Sequence, residues 1–75
     1  MRRDKIEIFA DILKVAQNGA KKTHIVYKAY LNFSTLKNYV RRLMEKGLLM
    51  QIDGGHYMTA RKGDEFLKQY MKLFR

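Results

Sequence analysis

The 75-residue chain has no cysteine, no proline and no tryptophan. Without cysteine there is neither a disulfide framework nor a cysteine-ligated zinc site. The two histidines, His24 and His56, lie in different segments without the paired spacing of metal ligands, so no metal is expected. Acidic residues are scarce, 7 against 16 Lys and Arg, which leaves a formal net charge of +9 with both histidines neutral. Apolar runs are only a few residues long, so no segment is expected to span a bilayer. The residues behind Met1-Arg2-Arg3-Asp4 lack the apolar stretch of a secretory signal. A small, soluble, intracellular, basic chain is expected. Its hydrophobic fraction of 47% is too high for a disordered basic tail. One folded domain over residues 1–75 is expected. A domain of this size buries only about 60% of its unfolded surface, so it is marginal alone or helped by a second subunit.

The charge is not evenly spread. Lys21, Lys22, Lys28, Lys37, Arg41, Arg42 and Lys46 face only Glu45 across residues 19–46, so most of the excess lies in the middle of the chain. Solubilising lysines would be scattered; concentration in one segment points to a surface built for phosphate.

Hydrophobic spacing predicts four helices and a hairpin. Ile6, Phe9, Leu13 and Ala16 recur at helical intervals over about 3–18, and Asn18-Gly19 stops the helix, with Gly19 suited to a left-handed C-cap. Ile8, Ile12 and Val15 form a second stripe, so this helix is expected to be buried on two sides. Ala20-Lys21-Lys22 form a link with at most one isolated strand. Thr23 is the expected N-cap of a short helix, 24–30, with Ile25, Val26 and Ala29 inward. After Leu31-Asn32-Phe33, Ser34 is the expected cap of a third helix, 34–46, with Leu36, Val40 and Leu43 inward and Gly47 ending it. Residues 48–52 and 56–59 read as strands of a hairpin turned by Asp53-Gly54-Gly55, where glycine would supply positive φ. Thr59 or the Arg61-Lys62-Gly63 link leads into a last helix expected over 64–74, with Asp64 and Glu65 at the positive end of its dipole. Its broad apolar side, Phe66, Leu67, Tyr70, Met71, Leu73 and Phe74, together with Ile8, Ile12 and Val15, suggests a homodimer built from the first and last helices; the alternative is that the two stripes pack within one chain.

A helix, a short turn and a further helix make a helix-turn-helix, whose second member reads the DNA major groove. With Leu36, Val40 and Leu43 buried, a rotation of 100° per residue sends Ser34, Asn38, Arg41 and Glu45 outward, flanked by Thr35, Lys37 and Arg42. Arg pairs bidentately with guanine and Asn with adenine, while Ser, Thr and Lys reach phosphates. Tyr27, Tyr30, Phe33 and Tyr39 cluster around the turn. Packing in the core and turn is their expected place, with base stacking the alternative.

No catalytic arrangement accompanies these residues. Ser34 has no ordered base and acid to activate it. Asp53, Asp64 and Glu65 sit at a turn and a helix start, where acids are locally favoured. Gly54-Gly55 is not followed by the Lys-Ser/Thr of a phosphate loop. No enzyme activity, cofactor or small-molecule ligand is expected.

The chain resembles the winged helix-turn-helix family, and more narrowly its small archaeal DNA-binding proteins. The likeness rests on Thr23-His24-Ile25-Val26-Tyr27-Lys28-Ala29, on Phe33-Ser34-Thr35-Leu36-Lys37-Asn38-Tyr39-Val40, on Leu43-Met44-Glu45-Lys46-Gly47-Leu48-Leu49, and on the exit from the wing into the final helix, Tyr57-Met58-Thr59-Ala60-Arg61-Lys62-Gly63-Asp64-Glu65-Phe66-Leu67. The resemblance implies a mainly α fold with a small β-hairpin: a three-helix core, a two-stranded wing and a C-terminal helix. It implies sequence-specific binding of double-stranded DNA by a transcriptional regulator, cytoplasmic and nucleoid-associated, with helix 34–46 in the major groove. The candidate DNA-binding residues are Lys21, Lys22, Lys28, Ser34, Thr35, Lys37, Asn38, Arg41, Arg42 and Lys46. The wing departs from the family pattern: its tip, Asp53-Gly54-Gly55, carries an acid and no Lys or Arg, so deep insertion into a minor groove is not expected. A chromosomal DNA-coating protein of the same fold, an RNA-binding domain and a protein-interaction winged helix are the alternatives.

Overall fold

The computed structural model describes residues 4–73. Along the chain it runs α1 (Lys5–Val15), β1 (Ala20–Lys21), α2 (Lys22–Lys28), α3 (Phe33–Glu45), β2 (Leu49–Asp53), β3 (His56–Thr59) and α4 (Arg61–Leu73). Of the expected helices, Arg3 of 3–18 and Phe74 of 64–74 lie outside the described residues. The first helix is shorter than expected: it ends at Val15 with Ala16 as its C-cap, and Gly19, left-handed at φ 87°, follows in the loop and does not cap it. The fold is mainly helical, with four helices and one small antiparallel sheet.

Both apolar stripes of α1 are used within the chain. Phe9, Leu13 and Ala16 are buried, and so is Ile12 from the second stripe, while Ile8 and Val15 pack half-buried against the same core. The second stripe therefore meets the chain's own elements, and α4 covers much of α1. The two helices run antiparallel: the Gln17 amide donates to Asp64 near the start of α4 at 3.4 Å, and Tyr70 lies in the field of Glu7, Asp11 and Asp4. The Tyr70 phenol is pushed up from its ordinary pKa, first by burial and then by those carboxylates.

The wing is a three-stranded sheet in the order β1-β3-β2, not a two-stranded hairpin. Ala20 pairs with Tyr57 and Lys21 with His56. The ladder continues into the next helix, since the Lys22 N–H donates to the Gly55 carbonyl at 3.0 Å. That bond also explains why α2 starts before Thr23. Lys21 is the N-cap and offers no side-chain cap, because the wing itself satisfies a backbone donor of the first turn. The other end of the wing is pinned to α1: Thr59 donates through its backbone N–H to Ala16 O at 2.9 Å and through its buried hydroxyl to Leu13 O at 2.6 Å.

Three local details differ from the sequence expectation. The N-cap of α3 is Asn32, whose side-chain oxygen accepts from the Thr35 N–H at 2.7 Å. Asn caps as well as Ser does, and Phe33 becomes the first helical residue, so Ser34 lies inside the first turn. The hairpin tip works without left-handed glycines, since among the glycines only Gly19 and Gly47 have positive φ. Instead Asp53 Oδ1 accepts from the N–H groups of Gly55 and His56 at 3.0 and 3.1 Å and from His56 Nδ1 at 2.9 Å. Finally, α4 starts at Arg61, so Arg61-Lys62-Gly63 is helix and not a link. Gly63 is buried where a Cβ would collide with the Leu48 carbonyl and the Thr59 methyl, which lets α4 press against the base of the wing.

Two helices end in the same C-terminal motif. In α3, Leu48 N–H bonds Leu43 O and Gly47 N–H bonds Met44 O, with Gly47 left-handed at φ 74°. In α2, Leu31 N–H bonds Val26 O, and the left-handed residue is Tyr30 at φ 56°. A non-glycine residue in that conformation costs roughly 1–2 kcal/mol. The core beneath these ends is one cluster centred on Ile12, Leu13, Ile25, Leu36 and Leu43, each almost wholly buried.

Candidate nucleic-acid interface

Burial of Leu36, Val40 and Leu43 fixes how α3 is rolled on the core. The roll leaves Ser34, Lys37, Asn38 and Arg41 exposed on the outer face, and Thr35 half-buried beside its cap. The four exposed side chains form one strip along the helix: a hydroxyl and the positive dipole end at the N-terminus, then an amide and two cations. Lys28, exposed at the end of α2, stands at the turn before the strip.

The remaining candidates lie elsewhere. Arg42 and Lys46 are exposed but turn to the side of α3, where with Glu45 they line a shallow recess against Lys5, Ile6 and Phe9 of α1 and Phe66 of α4. Lys21 and Lys22 are exposed at the junction of β1 and α2, directly beneath the wing tip that bonds to Lys22. The ten residues thus divide into a central strip, a pair beside the wing and a pair on the α1 side.

The wing tip opposes the charge of this surface. Asp53 is exposed, and its carboxyl is held below its ordinary pKa by the Gly55 N–H first and then by the His56 side chain. An anionic carboxylate is therefore built into the turn.

The aromatic residues near the turn do not behave alike. Tyr39 is half-buried, its ring 5.5 Å edge-on from Phe9, as core packing requires. Tyr27, Tyr30 and Phe33 are exposed, against the expectation of burial. No periodic signal in the sequence marks this exposure; the turn between α2 and α3 contains no glycine, and Tyr30 takes its left-handed position at φ 56°. Among the described residues no group of three His, Cys, Asp or Glu side chains could hold a metal ion, and no helix is long and apolar enough to cross a membrane.

The profile of the winged helix-turn-helix family matches residues 2–75. The chain belongs to that family. The crystal structure of Sso10a-2, a DNA-binding protein from Sulfolobus solfataricus, superposes with a TM-score of 0.82 at 25% identity, covering 95% of this chain and 81% of that one. T. acidophilum IdeR superposes with a TM-score of 0.79 at 15% identity, over 96% of this chain and 35% of that one, a likeness of fold. An uncharacterised protein of Methanocaldococcus jannaschii is 37% identical over 76 residues. This winged helix covers 36% of that relative's length, so the relative carries substantial chain beyond the shared part.

Proposed function

We propose that this winged helix binds double-stranded DNA with α3 in the major groove. The observation that carries the reading is the outer strip of α3, where Ser34, Lys37, Asn38 and Arg41 are exposed together above a buried Leu36–Val40–Leu43 ridge. The strip holds both kinds of group that duplex recognition needs, amide and guanidinium for base edges and hydroxyl and ammonium for phosphates. The described DNA-binding character of Sso10a-2, a neighbour over nearly the whole chain, supports it. Arg41 and Asn38 read bases, with Thr35 at the edge of the strip. Lys21, Lys22, Lys28, Lys37, Arg42 and Lys46 hold phosphates on either side, and Ser34 takes one at the helix start. The acidic wing tip stays out of the minor groove.

In this reading the protein is a sequence-specific regulator of transcription that resides with the chromosome and works as a dimer. Ile6 at the start of α1 and Met71 and Leu73 at the end of α4 remain exposed at one end of the antiparallel pair. A second copy seated there would present two α3 helices to successive major grooves, roughly 34–36 Å apart. Selection of bound duplexes from a random pool at two salt concentrations tests the proposal. Recovery of a defined site that survives the higher salt is the expected result. Uniform recovery of all sequences would make the protein a DNA-coating one, and no salt-dependent binding at all would refute the interface.

A further inference from the structure

The α2–α3 corner presents three exposed rings. Tyr27 is 77% exposed, Tyr30 86% and Phe33 53%, while Ile25, Ala29 and Leu36 fill the inner side of the same corner. Tyr30 is the most informative of them. The α2 and α3 helices close with the same long-range C-terminal hydrogen bond, and α3 puts glycine at the left-handed position where α2 puts tyrosine. Glycine takes that conformation without steric penalty. A tyrosine there strains the backbone, and its side chain stands largely in solvent.

The surroundings specify what the rings suit. Lys28 precedes the corner and Lys37 lies one helical turn beyond Phe33, and no Asp or Glu occurs between Asp11 and Glu45. Such a surface suits an anionic partner that also offers flat apolar faces. Hydrogen bonds from tyrosine hydroxyls to phosphates do not account for the group, because Phe33 has no hydroxyl. In an unbroken duplex the base faces are hidden in the stack, so rings that project from the protein require unpaired bases.

We propose that Tyr27, Tyr30 and Phe33 form a stacking platform for unpaired DNA bases beside the duplex held by α3, with Lys28 and Lys37 on the adjoining phosphates. The platform rests on the duplex reading of α3 and extends it: the domain prefers DNA that carries unpaired nucleotides next to a duplex.

Fluorescence anisotropy with a labelled duplex, and with the same duplex carrying a central run of unpaired thymidines, tests this. The bulged DNA is expected to bind about tenfold tighter. A Tyr27→Ala, Tyr30→Gly variant should lose that preference and still bind the unbroken duplex, whereas Tyr27→Phe with Tyr30→Phe should keep it. The Tyr30→Gly change should also leave the melting temperature unchanged or raise it, so loss of preference cannot be ascribed to unfolding. With no tryptophan and five tyrosines in the chain, the intrinsic emission reports on tyrosine and should be quenched more by the bulged DNA. Equal affinity for both DNAs, or a preference that survives the Ala/Gly variant, overturns the platform and leaves the α3 reading standing. Failure to bind either DNA refutes the α3 reading and the platform with it. Tighter binding to a bulged RNA of the same design overturns the assignment to DNA.

Discussion

The α2–α3 side and the α1–α4 side of this small domain are built from similar amphipathic helices but differ in what their outer surfaces carry. The first bears Lys28, Lys37 and Arg41 with no acid of its own on the exposed strip. The second mixes exposed Lys5, Lys14, Lys68 and Lys72 with acids, sets Asp4, Glu7 and Asp11 at the start of the chain and in α1 near Tyr70 of α4, and leaves Ile6, Met71 and Leu73 exposed at one end. One side is suited to a polyanion, the other to an apolar neighbour. Net charge alone could not have told them apart, since charge acts on a partner only through the face that displays it.

The contrast can be broken at several points. Its largest test is the ridge that holds α3 in place. Leu36→Ala removes an almost wholly buried side chain and should destabilise the fold by roughly 2–5 kcal/mol, enough to abolish the interface with it; urea denaturation measures the loss. A smaller and sharper test compares cations on the two sides. Arg41→Ala should weaken binding to a preferred duplex by roughly 1–3 kcal/mol and relax choice at one base pair, while Lys68→Ala on α4 should leave site preference intact. Equal effects in a gel-shift series would mean that the two sides do not differ in function. Next, Asn32→Ala removes the side-chain cap of α3 and should lower stability by about 1 kcal/mol, read as a drop in melting temperature, whereas Ser34→Ala should have less effect because Ser34 is not the cap.

The smallest effect belongs to the wing tip. The carboxyl of Asp53 is held below its ordinary pKa in the folded protein. A group shifted in that direction contributes above its unfolded pKa and loses its contribution as pH falls through the folded one. Acidification through and below the usual carboxylate range should therefore loosen the turn. The Gly55 and His56 amide signals should shift in an NMR titration while those of α3 stay fixed. Joint movement of both would show that the wing and α3 form one cooperative unit.

Much of the architecture was legible in residue spacing. The spacing of Leu36, Val40 and Leu43 set the roll of α3, and Gly47 marked the end of that helix, whereas α1 stops at Val15 with Ala16 as its C-cap, short of Gly19. The errors share a cause. Thr23 and Ser34 are sound caps by local rules, but a carbonyl from the wing and the Asn32 side chain took those tasks. Likewise Arg61-Lys62-Gly63 reads as a link until the contact of Gly63 with Leu48 shows why a glycine is needed within a helix. In the site, the central strip was foreseeable from periodicity, but the sideways turn of Arg42 and Lys46 and the exposure of Tyr27, Tyr30 and Phe33 were not.

Taken alone, the order of residues determined the helices, the inward ridge of each, the excess of positive charge in the middle of the chain and the family resemblance, because these depend on neighbours three or four positions apart or on simple counting. Tertiary structure decided the third strand of the wing, the packing of most of both α1 stripes within one chain, the rings left in solvent and the division of ten candidate residues into three groups. Those outcomes depend on which distant segments meet, and a β ladder between residues 20 and 57 or a glycine beneath a carbonyl leaves no local periodicity to read.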